Sequence, residues 1–458
     1  MTHSADTEIV TPQERSRVQL TPWLIALAIL GSSLALAYRF FALINSYAVN
    51  LLFFDQWDFY RPLFREQGLW GMFIYQHGPH RQGLGGVVIA LVAGLTGWNS
   101  RADAFAVGAI IAGAMLVALY LKRHLFRTLT FADVIIPLIF LNTLQYESLV
   151  ITPNPAHGAV PLLLVVCSAL AWELRPALAR YTALVVLNFL LIFTGFGIFM
   201  GLITPALLAL DIFQQARSGR KNAWLPPLIA LALALMSIYA FSIGYVFEPA
   251  IACFHFPYQR PWEYPWFIGL MLARFIGLGY AALPLPAAII GCALFALMGS
   301  VGIYHTMILV RSGLQRNPTS LAIALLIGFS LIFCANTAVG RICAGIEGSQ
   351  ASRYMTLLIP AFFGLYLHLL SLHSTPIRYV ALALCIALLL PLPLQSNDAK
   401  VIQGFTEGKQ RWKECHLRTG RIDHCVRVSG LAIYPAPQEI KERLAYLKEH
   451  HLNLFADQ

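Results

Sequence analysis

The chain has 458 residues and a mass of 50.7 kDa, is 58% hydrophobic and only 12% charged, and has a mean hydropathy of +0.66. Soluble domains carry about 25% charged residues, so half of the usual charge is missing, which excludes a soluble enzyme and a disordered chain alike. A polytopic membrane protein remains, with room for roughly ten spanning helices at about 20 residues each.

The N-terminal residues 1–21 are polar and end in Arg15 and Arg17, just before the first apolar run at 22–44. That run is too long for a signal-peptide core and lacks a small-residue cleavage site, so it is expected to be a retained first helix with a cytoplasmic N-terminus. Further basic clusters follow at Lys122, Arg123 and Arg127, at Arg175 and Arg180, at Arg217, Arg220 and Lys221, at Arg311 and Arg316, and at Arg378. They account for much of the excess of 32 Lys+Arg over 22 Asp+Glu. Short basic clusters between apolar runs are what the positive-inside rule produces, so the pI near 9.3 does not point to nucleic acid.

If all these clusters face the cytoplasm, an even number of spans separates each from the next. The runs at 131–150 and 158–174 then form one hairpin, 181–195 and 196–215 a second, broken at Thr194-Gly195-Phe196-Gly197, and 319–336 and 356–373 a third. Two apolar stretches break this parity. The stretch 83–98, glycine-rich and bounded by His80-Arg81 and Asn99-Ser100-Arg101, is expected to be an interfacial or re-entrant helix on the outer side. The stretch 266–283 is read the same way; Arg274 within it suits a helix bordering a polar cavity. The expected fold is thus an all-α polytopic membrane protein of about eleven transmembrane helices with two re-entrant outer helices. Its parts are a cytoplasmic tail at 1–21, a transmembrane domain at 22–394 and an outer, periplasmic tail at 395–458. No repeat suggests a solenoid, and no two matching halves suggest a transporter.

Four polar pieces fall on the outer side: 45–101, 246–265, 336–355 and the tail. In the tail, Ile440, Leu444 and Leu447 recur at helical spacing after Pro435-Ala436-Pro437, predicting a short amphipathic helix packed on the outer loops. Cys415 and Cys425 would there lie in an oxidising compartment and are either a disulfide or a reduced couple. Cys167, Cys292, Cys334 and Cys385 lie in apolar runs and read as small buried side chains.

The densest polar feature follows the first helix, as FFDQWDFYRPLF (53–64) and YQHGPHRQGLGG (75–86). Asp55 and Asp58 are three residues apart, a spacing that puts both on one helix face beside Trp57 and Tyr60. A carboxylate held in a partly desolvated pocket accepts a proton from an attacking hydroxyl; the bland alternative is an interfacial aromatic belt with solvated acids. Two acids with His77, His80 and Arg81 in one loop favour the functional reading. Asp55, Asp58, His77 and His80 have the ligand types for a divalent cation, but no tight ligand spacing, so no metal or other cofactor is indicated. His157, in TPNPAH (152–157), sits on another outer turn and reads first as a loop-structuring residue.

A second feature is GRICAGIEGSQASRYM (340–355), in which Arg341 and Arg353 bracket a small-residue loop and Tyr354 follows. One reading is a mobile connection with an Arg–Glu347 surface pair. The favoured one is a phosphate clamp at headgroup depth, since guanidinium offers a planar fork of donors. Arg61, Arg65, Arg81, Arg260 and Arg274 are the other arginines assigned to the outer side.

At these residues the chain resembles the bacterial integral-membrane glycosyltransferases of the GT-C class, which have a first helix followed by a long outer loop with an early acidic motif and two juxtamembrane helices. Asp55 and Asp58 match that motif, residues 77–105 resemble the second half of the loop, and 340–354 resembles a loop of related bacterial proteins. The chain departs from many relatives in having Pro79 where they carry Glu before His-Arg, and it has no WWDYG-type signature, so peptide glycosylation is not implied. The resemblance implies an enzyme of the bacterial inner membrane that takes sugar from a polyprenyl-phosphate donor. The acceptor would be a lipid-linked or cell-envelope glycan, lipopolysaccharide among them, and the reaction would invert the anomeric carbon. It puts the catalytic base on Asp55 and Asp58, and the donor phosphate on Arg81, Arg341, Arg353 and Tyr354. Trp57, His77, His80, His157 and Arg274 are the expected substrate contacts, and membrane lipids the remaining partners. The competing classes are a lipid-linked saccharide polymerase or ligase, which needs no paired acids after the first helix, and a transporter or flippase, which predicts charges at span centres.

Overall fold

A computed structural model describes residues 12–219, 222–248, 251–279, 284–372, 374–389 and 396–456. Residues 1–11 of the expected N-terminal tail, the Arg15 and Arg17 side chains, Arg220 and Lys221, residues 280–283 of the stretch 266–283, and residues 390–395, where the tail begins, lie outside it. Among the described residues the chain is all-α apart from one two-residue antiparallel pair, Gln76–His77 with His80–Arg81.

Among the described residues seven helices are long and apolar enough to cross a membrane: Pro22–Tyr47, Ser100–Phe126, Gly197–Arg217, Leu225–Ser242, Pro284–Ser312, Pro318–Ala344 and Ser352–Ser371. Their outward faces are apolar; the first exposes Trp23, Leu24, Leu27, Leu30 and Leu34, a surface that water would not sustain and lipid would. The protein is therefore a multi-pass membrane protein. Gly83–Thr96, Pro155–Ala171 and Ala177–Ile192 are shorter apolar helices. The stretch 263–275 forms a 13-residue helix, too short to span.

The arm expected at 131–150 is not one continuous helix. It breaks into Phe131–Val134, Ile135–Phe140, Thr143–Gln145 and a π-helical turn at Glu147–Ile151. Pro137 removes a donor here, and the Asn142 side chain accepts from the Leu144 N–H at 2.9 Å, competing with the helical ladder. The carbonyls this frees are met by side chains: Gln145 donates to Phe140 O at 2.8 Å, Ser352 to Leu144 O at 2.5 Å, and Lys409 to Val150 O at 3.2 Å. Irregular backbone at such depth survives where protein groups satisfy it.

The segments that carry four of the basic clusters expected on one side, those at Arg127, Arg180, Arg217 and Arg316, lie together. Arg127, Arg175 and Arg180 line a hollow with Gln315 and Pro318, and Gln214 donates to Leu309 O at 2.8 Å. The four polar pieces meet at another place. Ile433 O of the tail accepts from Phe54 N at 2.8 Å, Val246 N donates to Gln76 Oε1 at 3.2 Å, and a Cys253–Cys343 disulfide joins the second piece to the third. The tail carries the second disulfide, Cys415–Cys425, and buries Ile440, Leu444 and Leu447 as their spacing predicts. Its main element is a 24-residue helix, Ser396–Thr419, whose polar composition conceals it from a hydropathy reading. Of the other cysteines, Cys334 is buried and Cys167, Cys292 and Cys385 are half-buried.

Candidate functional site

The first loop is tied down at both ends before it reaches the site. Asn453 of the tail donates to Trp98 O at 2.7 Å and to Asn50 Oδ1 at 3.0 Å, and Ser100 Oγ accepts from Leu51 N at 2.8 Å. Phe54 is then held at φ 49°, a left-handed conformation that a bulky residue rarely adopts. This kink delivers Asp55 to the start of a one-turn helix, Gln56–Phe59, without a side-chain cap. Both aspartates consequently face one cavity of about 720 Å³, with Arg61, His77, His80, Glu147, His157, Arg341, Arg353 and Tyr354 also on its wall.

The wall is made from parts far apart in sequence. The turn at Gly195-Phe196-Gly197 presses on His157: Gly195 N donates to Ala156 O at 3.0 Å, and a Cβ at Gly195 would lie 2.2 Å from His157 Cδ2. Phe196, also left-handed at φ 61°, sets its ring 4.3 Å from that of His80, tilted by 50°. His80 and His157 are 5.4 Å apart, and His77 and His157 6.5 Å, centroid to centroid. Burial, then the charge of Arg341 and the neighbouring His77, pushes the His80 imidazole down to about 3. It is neutral at physiological pH, so the positive charge near it is that of the arginines.

The charges divide into closed and open groups. Arg61 donates to Asp58 Oδ1 at 2.6 Å, Tyr434 donates to the two Asp58 oxygens at 3.3 and 3.2 Å, and Arg443 stands 3.7 Å away. Asp58 is thus an anchor between loop and tail. Arg353 is paired with Glu147 at 2.5 Å, and its backbone N–H donates to the same carboxylate at 3.2 Å; its partner is Glu147 and not the Glu347 of the alternative reading. Asp55 and Arg341, by contrast, have no side-chain hydrogen bond or ion pair among the described residues. An exposed carboxylate and a half-buried guanidinium, both unpaired, therefore share one cavity.

Three expected contacts are placed elsewhere. Arg81 is buried and donates to Phe241 O at 3.1 Å, to Ile243 O at 2.6 Å and to Ile74 O. Its guanidinium is a clamp on a backbone turn, each of its three nitrogens donating to a carbonyl, and it does not line the cavity. Arg274 is buried against Asp398 at 2.5 Å, with Tyr146 on the same carboxylate oxygen at 3.2 Å; it fastens the tail and does not line the cavity. Trp57 is fully buried, its ring 6.4 Å from that of Phe64. Arg260 pairs with Glu263 at 2.9 Å, off the cavity. Among the described residues no three His, Cys, Asp or Glu side chains converge as a metal-holding group, Asp55, Asp58, His77 and His80 included. Glu147 escaped the sequence reading, although a lone carboxylate inside an apolar run is itself a signal of function.

Compared with protein-family models, with curated proteins and with solved structures, the chain shows no significant match to any.

Proposed function

We propose that the protein is an inverting glycosyltransferase of the bacterial inner membrane. It would move a sugar from a polyprenyl-phosphate donor to a lipid-linked or cell-envelope glycan on the periplasmic face. The observation that carries this reading is the unpaired Asp55 carboxylate and the unpaired Arg341 guanidinium on one cavity wall. In this reading the chain crosses the membrane about eleven times, with its N-terminus in the cytoplasm. The broken arm at 131–151 and the helices Pro155–Ala171, Ala177–Ile192 and Thr375–Leu389 complete the count, and the basic end of the bundle is the cytoplasmic one.

The chemistry follows from the two groups. Asp55 takes the proton of an acceptor hydroxyl, and the oxygen attacks the anomeric carbon from the face opposite the donor phosphate. The bond between anomeric carbon and phosphate oxygen breaks with its electron pair staying on the phosphate, leaving a polyprenyl phosphate and an inverted glycoside. The leaving phosphate gains negative charge beside Arg341, a cation already in place and already partly desolvated. Arg353, held by Glu147, is a second charge at the same wall. The neutral His80 offers hydrogen bonds to sugar hydroxyls without competing for the phosphate, and His77 lies on the same wall.

The test incubates purified protein with a panel of polyprenyl-phosphate sugars and measures lipid-phosphate release. Asp55→Asn should lower turnover by about 10²–10⁴, the range for loss of a general base. Because Asp55 has no partner to lose, thermal unfolding should be unchanged. Turnover near wild type in folded Asp55→Asn would remove the base assignment and favour the polymerase or ligase reading, which needs no such acid.

A further inference from the structure

A second cavity, of about 300 Å³, lies at the basic end of the bundle, among His124, Arg127, Glu173, Arg175, Arg180 and Gln315. It is built where three helix ends meet. Ser100–Phe126 stops at Arg127, which adopts φ 64° and donates its N–H to Arg123 O at 2.9 Å. Ala177–Ile192 begins just after Arg175 and Pro176, and Pro318–Arg341 begins just after Gln315.

The charge on this wall is unbalanced. Three guanidiniums face one carboxylate, Glu173, which lies 3.8 Å from the His124 imidazole. Arg127 and Arg175 have no side-chain hydrogen bond or ion pair among the described residues, and Arg180 keeps a buried Nε without a partner. Three like charges gathered in one hollow repel one another unless an anion joins them. The anion is not a nucleotide or a large polyanion, because the hollow is small and its floor is apolar, formed by Trp172, Leu314 and Leu321. Leu174 on the rim is exposed, and so is Leu178 in the first turn of the helix that follows; both present hydrocarbon beside the charge.

We propose that this cavity holds the phosphate of an anionic membrane lipid, with its acyl chains along Leu174 and Leu178. A phosphate oxygen set matches the guanidinium forks of Arg127 and Arg175, and a basic pocket between helices at the cytoplasmic surface is where such headgroups are found. The site is separate from the large cavity and does not depend on the glycosyl-transfer reading.

The experiment is native mass spectrometry of the full-length protein titrated with phosphatidylglycerol, with phosphatidylcholine and with inorganic phosphate. Arg127→Asn removes the charge with a residue that tolerates the left-handed backbone; it is combined with Arg175→Gln, an exposed position. Wild type should retain phosphatidylglycerol over phosphatidylcholine, and the double variant should bind it about tenfold more weakly. Arg217→Gln, at the same end but off the cavity, should bind as wild type does. If the double variant fails to fold, Arg175→Gln alone decides. Equal retention in wild type and variant would overturn the proposal, as would equal loss in Arg217→Gln. Inorganic phosphate binding as tightly as the lipid, in a manner the variants abolish, would overturn the lipid assignment and leave a site for free phosphate.

Discussion

Two sets of charges in this bundle are handled in opposite ways. Inside the helix bundle, Lys122 donates to Asp133 Oδ2 at 2.7 Å and to Thr128 O at 2.7 Å, while Tyr366 donates to Asp133 Oδ1 at 2.5 Å. Both ions are buried, and their strong hydrogen-bonding positions are filled from within the chain. On the large cavity, the chain closes Asp58 and Glu147 in the same manner but leaves Asp55 and Arg341 open. Open charges gain nothing for folding, because a partner within reach would have been more stabilising. In the proposed function, these two unpaired charges beside the cavity are what receives the donor and the acceptor.

The sharpest way to break this comparison is to open the closed set. Lys122→Met leaves the Asp133 carboxylate buried without its cation, a change expected to destabilise by about 3–5 kcal/mol. Thermal unfolding of the purified protein would show it as a large drop in Tm, and Lys122→Met with Asp133→Asn should recover part of the loss. An unchanged Tm in the single variant would mean that the pair contributes no more than a solvated one.

The converse manipulation touches the open set. Arg341→Ala should leave Tm near wild type and lower sugar transfer by about 10²–10³, the usual effect of losing one charge that stabilises a transition state. Arg81→Ala should do the reverse. It strands three carbonyls, at Ile74, Phe241 and Ile243, so stability falls, and any loss of turnover follows the loss of fold. Equal stability losses in the two variants would erase the distinction between clamp and open charge.

These two arginines also show what a linear reading can reach. Hydropathy and the parity of basic clusters identify the long helices, the short apolar helix within 83–98 and the polar pieces that assemble the site, because lipid imposes length and polarity locally. The twin aspartates are legible for a similar reason: they are adjacent in sequence and flank one turn. Arg81 and Arg341 look alike in sequence, each an arginine on an outer loop. Only the carbonyls of residues 241 and 243, some 160 positions away, distinguish a clamp from an open charge. Glu147, Phe196 and the Cys253–Cys343 bridge are likewise products of long-range closure. The broken arm at 131–151 follows from Pro137 and Asn142, whose effect on a span depends on partners supplied by other segments.

A finer distinction concerns the tail, where one buried cation is held by dipoles instead of a carboxylate. Lys409 donates to Val150 O at 3.2 Å and to Ile151 O, and lies 4.7 Å from the centroid of the Phe53 ring beside the cavity. Burial pushes its amine down from 10.5 to about 7. The undocked tail then binds more protons than the docked one between about 7 and 10.5, so docking is strengthened as pH rises through that interval and weakened as it falls toward 7. Below about 7 both states carry the proton and the dependence ends. Hydrogen exchange over 396–419, corrected for intrinsic rates, should show protection rising across this window in wild type and flat in Lys409→Met. Protection that falls with pH in wild type would mean that the carbonyl pair and the aromatic face hold the charged amine better than water does. Lys409 would then join the closed set.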